Sequence, residues 1–215
     1  MRYLLTILLS VGVITLSGCQ SAYYSAMEKV GYHKRDILVD RVEDAKASQQ
    51  DAQQEFQSAL DSLTTLTHFK GGDLEAMYNQ VNDEYQDSEQ AAQKVRERIE
   101  AIEDVSEALF EEWQDELDLY TNPSLRRSSE QTLQQTQASY KNMLTAMQQA
   151  EQKMTPVLNT LRDHTLFLKH NLNANAIGAL QGEFSDLKLE IQHAIDQMNQ
   201  AITESERFLQ HMNAQ

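Results

Sequence analysis

The sequence predicts an all-α protein: an elongated antiparallel four-helix bundle, or two coiled-coil hairpins laid together. Three observations predict it. Apolar residues recur at alternating spacings of four and three through four long segments, the 3.5-residue repeat that keeps one stripe facing a partner helix. The chain of 215 residues has only 2 Pro and 7 Gly, so few turns are available. The composition is rich in Gln, Glu, Ala, Leu and Asp, as in long helices.

The N-terminus comes first and is of a different kind. Arg2 supplies a short basic region, and residues 4–16 are apolar apart from Thr6, Ser10, Gly12 and Thr15. Such a stretch spans about 20 Å as a helix, too short for a hydrocarbon core of about 30 Å. That length predicts a signal peptide over residues 1–18 rather than a membrane-spanning anchor. The stretch Leu16-Ser17-Gly18-Cys19 then looks like a lipobox, where a lipoprotein signal peptidase cuts before a cysteine that carries lipid. What this resemblance implies is lipidation at Cys19, with three acyl chains and lasting attachment. Gln20, rather than Asp, follows the cysteine. By the usual sorting pattern in two-membrane bacteria this favours the outer membrane, periplasmic face. Cys19 is the only cysteine, so no internal disulfide forms.

Residues 19–32 read as a lipidated tether and membrane-proximal collar. Tyr23, Tyr24 and Tyr32 stand there with Lys29, Lys34 and Arg35, in a chain of net charge −15. Tyrosine favours the membrane interface and basic residues attract anionic headgroups, so these six residues are candidate membrane contacts. A plain helix start is the simpler alternative.

Residues 33–215 read as the bundle. The seam of helix 1, near 23–70, runs from Leu38 through Val42, Ala45, Gln49, Ala52 and Phe56 to Leu66. Gly31 is a candidate break in it. Helix 2, near 74–120, carries a seam from Leu74 through Val81, Ser88, Val95, Ile102 and Leu109 to Trp113. Helix 3, near 124–170, carries one from Leu133 through Tyr140, Met147, Met154 and Leu161 to Leu168. Pro156 falls inside it and predicts a kink near residues 150–155. Helix 4, near 175–213, runs from Ile177 through Phe184, Ile191, Met198 and Ser205 to Met212, with a second stripe at Leu189, Ile195, Ile202 and Leu209. The breaks carry turn chemistry: Gly71-Gly72-Asp73, Asn122-Pro123, and the Asn-rich run 170–175. Short connections force neighbours to run antiparallel.

Chemistry-bearing patterns are weak. The histidines lack paired i, i+4 spacing and have no cysteine partner, so no metal site is predicted. His68, His164 and His170 share one end of the bundle, with His164 in the seam. Met143, Met147 and Met154 sit on a seam, where core filling is the commoner use of methionine. Glu190 and His193 have the Glu-x-x-His spacing of di-iron bundles, but no second copy stands on another helix. No catalytic residue and no cofactor is predicted, and an enzyme ranks last because narrow seams leave no deep pocket. The acidity argues against nucleic acid as a partner.

With the chain tethered at Cys19, the 70–73 and 170–175 turns share the far end. Phe69, Lys169, His170 and Asn171 there are the candidate docking surface for an envelope protein; closure of the bundle end by apolar residues is the alternative. A homo-oligomer is left open.

Several stretches carry a family resemblance: Glu28-Lys29-Val30-Gly31, residues 33–42, Gly71-Gly72-Asp73-Leu74-Glu75, Asn82-Asp83-Glu84-Tyr85, Ser124-Leu125-Arg126-Arg127, and residues 168–174. Together they resemble an uncharacterised, domain-of-unknown-function family of Gram-negative bacterial helical lipoproteins, over nearly the whole chain after Cys19. The resemblance implies an envelope lipoprotein and brings no activity and no catalytic residue. The leading expectation is a membrane-tethered structural or protein-interaction module. The alternative is a scaffold lying along the membrane through its basic collar. A continuous basic face would favour the scaffold, and isolated patches, at the collar and near Arg126 and Arg127, would favour a protein partner.

Overall fold

The structure, a computed structural model, describes Tyr24, Met27 and residues 31–68, 73–171 and 173–214. Four long helices account for nearly all of these: α1 (Lys34–Thr67), α2 (Leu74–Leu117), α3 (Pro123–His170) and α4 (Ala174–Asn213). They form an all-α antiparallel four-helix bundle. The most extensive contacts lie within the hairpins α1–α2 and α3–α4, and the α1–α4 and α2–α3 seams close the ring. The bundle is therefore two hairpins laid side by side. Its longest helix, α3, has 48 residues and runs about 72 Å at 1.5 Å per residue.

The seams expected from the 3.5-residue repeat face inward. From Leu38 to Leu66 every seam position of α1 is buried, including Gln49. The α2 seam is buried at Val81, Ser88, Val95, Ile102 and Leu109 and half-buried at both ends, Leu74 and Trp113. Met143, Met147 and Met154 of α3 are within 1 % of full burial, so these thioethers are core filling. The second stripe of α4 divides: Ile195 and Leu209 are buried, Ile202 is half-buried, and Leu189 is 59 % exposed.

The helix ends follow local chemistry. Asp73 caps α2, its carboxylate accepting from the Glu75 and Ala76 amides at 3.0 and 3.1 Å. Asn122 caps α3, accepting from the Ser124 and Leu125 amides at 2.9 and 3.3 Å, with Pro123 supplying the preset first turn. The Asn173 side chain accepts from the Asn175 amide at 3.0 Å. Helix 1 departs from its expected start near residue 23. Tyr24 and Met27 are helical, but Gly31 sits at φ +90°, a conformation that side-chain-bearing residues rarely adopt, and α1 begins at Lys34. The Tyr32 amide donates back to the Met27 carbonyl at 3.0 Å across this break. α3 continues through Pro156, which leaves the Gln152 carbonyl without its usual intrahelical donor.

The register between helices follows from cross-helix pairs. Lys34 meets Glu112 at 3.0 Å, Ser106 donates to the Tyr140 hydroxyl at 2.6 Å, and Thr136 lies 3.4 Å from His211. Arg35 donates to the Met212 carbonyl, tying the first turn of α1 to the last turn of α4. Lys34, Thr136 and Met212 thus lie near one level, and Glu112, whose neighbour Trp113 donates to Ser129 at 2.9 Å, lies somewhat beyond it towards the α2–α3 turn. Beyond that level α1 and α4 have ended, while α2 continues to Leu117 and α3 begins at Pro123. The α2–α3 hairpin projects past its neighbours, by five residues of α2 beyond Glu112 and thirteen of α3 before Thr136, roughly 8 and 20 Å along the two arms.

Candidate functional site

The two ends of the rod carry the predicted site residues. At the end formed by the last turns of α1 and α3, Lys169 and His170 are exposed. Asn171 is half-buried and serves the fold. Its side-chain amide donates to the Phe167 carbonyl at 2.9 Å, and its backbone amide donates to the Leu168 carbonyl at 3.0 Å. The helix C-terminus is thereby satisfied. Phe69 lies outside the described residues, as do Lys70 and Leu172. Leu166 and Phe167 are 51 and 39 % exposed, while Leu168 closes the core.

The fold gathers three histidines at this end but not at one point. His68 is exposed and its Nδ1 lies 2.8 Å from the Thr64 carbonyl. His164 is buried in the seam, with Nε2 3.3 Å from a Glu183 carboxylate oxygen. His170 is exposed. Among the described residues no group of three potential ligands is close enough to hold a metal ion. Glu190 and His193 are both exposed on α4.

At the opposite end lie the collar residues. Cys19, Tyr23 and Lys29 are outside the described residues, as is the whole of 1–18. The others are divided. Tyr24 is 6 % exposed and belongs to the main core. The Lys34 side chain is 12 % exposed and ion-paired with Glu112. Arg35 is half-buried on the end of α4. Tyr32 alone of the described four is open to solvent, at 51 %. The bundle thus uses Tyr24, Lys34 and Arg35 to fasten its own end. A carboxylate partner and a terminal helix carbonyl are the expected sinks for cations in an acidic rod.

The remaining cations are dispersed, and most of the arginines among them are paired. Arg98 and Arg41 approach Asp44, Arg96 meets Glu151 at 2.6 Å, and Arg126 meets Asp118 at 2.9 Å. No continuous basic face runs along the described residues of the rod.

Sequence reasoning missed the projecting α2–α3 turn. Leu119 is 78 % exposed, Leu125 57 % and Tyr120 41 %. Arg126 and Arg127 stand on the same turn, both exposed. Leu117 and Leu133 are buried beneath it, apart from the main core. A signal was present. The α3 seam begins only at Leu133, leaving residues 123–132 without an inward stripe, and the break at Gly31 shortens α1 on the same side.

The middle of the rod holds two unpartnered polar side chains. Both side-chain amide atoms of Gln49 and the Ser88 hydroxyl are buried without a hydrogen bond. Nearby on the surface, burial raises the Glu84 pKa above 4.5; Glu55, Asp87 and Asp83 add to the rise, against a lowering hydrogen bond from Ser62. Among the described residues no helix is long and apolar enough to cross a membrane.

A family model described as a protein of unknown function, DUF2959, matches residues 23–212. No curated protein and no solved structure matches the chain.

Proposed function

The chain belongs to the DUF2959 family of proteins of unknown function, and from that premise we propose that it is a lipid-anchored module of the bacterial cell envelope. In this reading Cys19 carries the lipid, the outer membrane's periplasmic face holds it, and the bundle serves structure or protein interaction without catalysis. The observation that carries the proposal is the join between two parts. Leu16-Ser17-Gly18-Cys19 follows a basic and an apolar stretch of signal-peptide length, and the bundle's core begins at Tyr24, five residues later. A tether that short keeps one end of a rod near the membrane and sends the other away from it. Lys169 and His170 are then the exposed residues best placed for an envelope partner.

The alternative, a scaffold lying along the membrane, has less support. Its basic collar would rest on Tyr32 and on residues outside the described set, because Tyr24, Lys34 and Arg35 are engaged within the bundle.

The test is Cys19→Ser in cells fed labelled palmitate. The native chain is expected to take up label and fractionate with outer membranes, and the variant to lose both. Undiminished palmitate incorporation by Cys19→Ser overturns the anchor.

A further inference from the structure

We propose that the projecting α2–α3 turn is a second membrane contact, with Leu119, Tyr120 and Leu125 entering the interface of the bilayer that holds Cys19 and Arg126 and Arg127 lying at its headgroups. This rests on the anchor reading, and deepens it: the rod is held end-on at two points.

Four observations converge. First, the turn is at the right end. Tyr24 lines a groove together with Lys34, Glu112, Glu116 and Leu119, so a residue five positions after Cys19 stands beside the projecting hairpin. Second, the distances match. Five residues at up to about 3.6 Å each let Cys19 lie at most about 18 Å from Tyr24, and α2 runs five residues, roughly 8 Å, past Glu112, the partner of Lys34, before the turn begins. A lipid on Cys19 is therefore within reach of the plane of the tip. Third, the exposed side chains have interfacial chemistry. Two leucines and a tyrosine stand out at 78, 57 and 41 % exposure, although reversing the chain needs only the Asn122 cap and Pro123. Leucine and tyrosine beside arginine is the mixture that settles at a membrane–water boundary.

Fourth, the charge is right locally. Residues 118–127 hold one carboxylate, Asp118, against two guanidiniums, in a chain of net charge −15. Asp118 is already paired with Arg126 at 2.9 Å, and no ion pair among the described residues engages Arg127. Arg127 at the tip is thus available to anionic headgroups, although Asp115, Glu116 and Glu130 flank the turn and confine that attraction to the tip itself.

The experiment uses the full chain, purified with its lipid and reconstituted into vesicles of phosphatidylethanolamine and phosphatidylglycerol. An environment-sensitive fluorophore is attached at Thr121→Cys, and in a second protein at His170→Cys, an exposed position at the opposite end. An acylated Cys19 does not react, so one label per chain reports the anchor and two report its absence. The expected result is one label per chain, blue-shifted emission at residue 121 with quenching by acyl-chain nitroxide lipids, and water-like emission at residue 170. Adding Leu119→Asp and Leu125→Asp should return residue 121 to water-like emission with unchanged helicity, since both leucines are exposed. One label per chain with residue 121 as wet as residue 170 overturns the tip contact while the anchor stands. So does a photo-crosslinker at residue 121 that captures a protein instead of lipid. Two labels per chain overturn the anchor. The tip is then judged in the Cys19→Ser background by adding vesicles: a shift that needs Leu119 and Leu125 upholds it, and no shift overturns it.

Discussion

Glu84 sits among acidic neighbours on a partly buried face of α2, and its proton is held more tightly in the folded chain than in the unfolded one. A raised pKa means that the folded state binds more protons between the unfolded value of about 4.5 and the folded value above it. Stability from this site is therefore fully present below that window and declines as pH rises through it. Glu84→Gln keeps an oxygen for the Ser62 hydroxyl and removes the charge. The variant is expected to melt higher than the native protein at about pH 7 and to show a flatter dependence of melting temperature between roughly pH 7 and 5. A variant that melts lower at neutral pH would refute the account. Gln49 is the other informative residue. Its amide is buried with neither atom paired, on a seam position that is otherwise apolar. Gln49→Leu is expected to raise stability by about 1–3 kcal/mol in urea unfolding, the usual cost of an unsatisfied buried polar group. Neither residue stands out in the sequence. A glutamine on a seam reads as a gap, and only the packing of the other helices around it shows that no partner reaches it.

At the scale of elements, the repeat makes the inward stripes legible in the sequence alone. Helix ends follow wherever a cap of known chemistry stands, at Asp73, Asn122 and Asn173. Each cap has a measurable consequence. Asp73→Ala removes the acceptor for two α2 amides and should cost about 0.5–2 kcal/mol, read from the shift in urea midpoint. The start of α1 is less legible, because a glycine in a helical pattern is often tolerated; the left-handed backbone of Gly31 makes it a break. The stagger between helices is not legible at all. A seam repeats every heptad, so it fixes which face a helix buries and not which turn meets which. That choice rests on scattered pairs such as Lys34 with Glu112 and Arg35 with the Met212 carbonyl. For the same reason the sequence cannot separate the collar into residues spent on the bundle and residues left free.

At the scale of the whole molecule, the two ends differ in kind. One has a projecting turn with exposed leucines, a tyrosine and two arginines; the other has exposed Lys169 and His170 around helix ends that are already capped. If the far end docks a partner, Lys169→Ala and His170→Ala together should leave the melting temperature within about 2 °C, since exposed residues at a helix end carry little stability. In-cell crosslinks from that end should fall severalfold. Retention of every crosslink, with full complementation of a deletion strain, would reduce the end to a turn.

The contact of Arg35 with the Met212 carbonyl also has a kinetic meaning. It joins groups 177 residues apart, whereas the hairpins close through turns of a few residues. Loop-closure entropy makes the α1–α4 seam roughly 3 kcal/mol more costly to bring together than either hairpin. The hairpins should therefore form early and the seam should zip last, after the folding barrier. Substitutions in that seam would then speed unfolding and leave the refolding rate almost untouched. The last contact made in folding would then lie at the open end of the ring, beside the projecting α2–α3 turn.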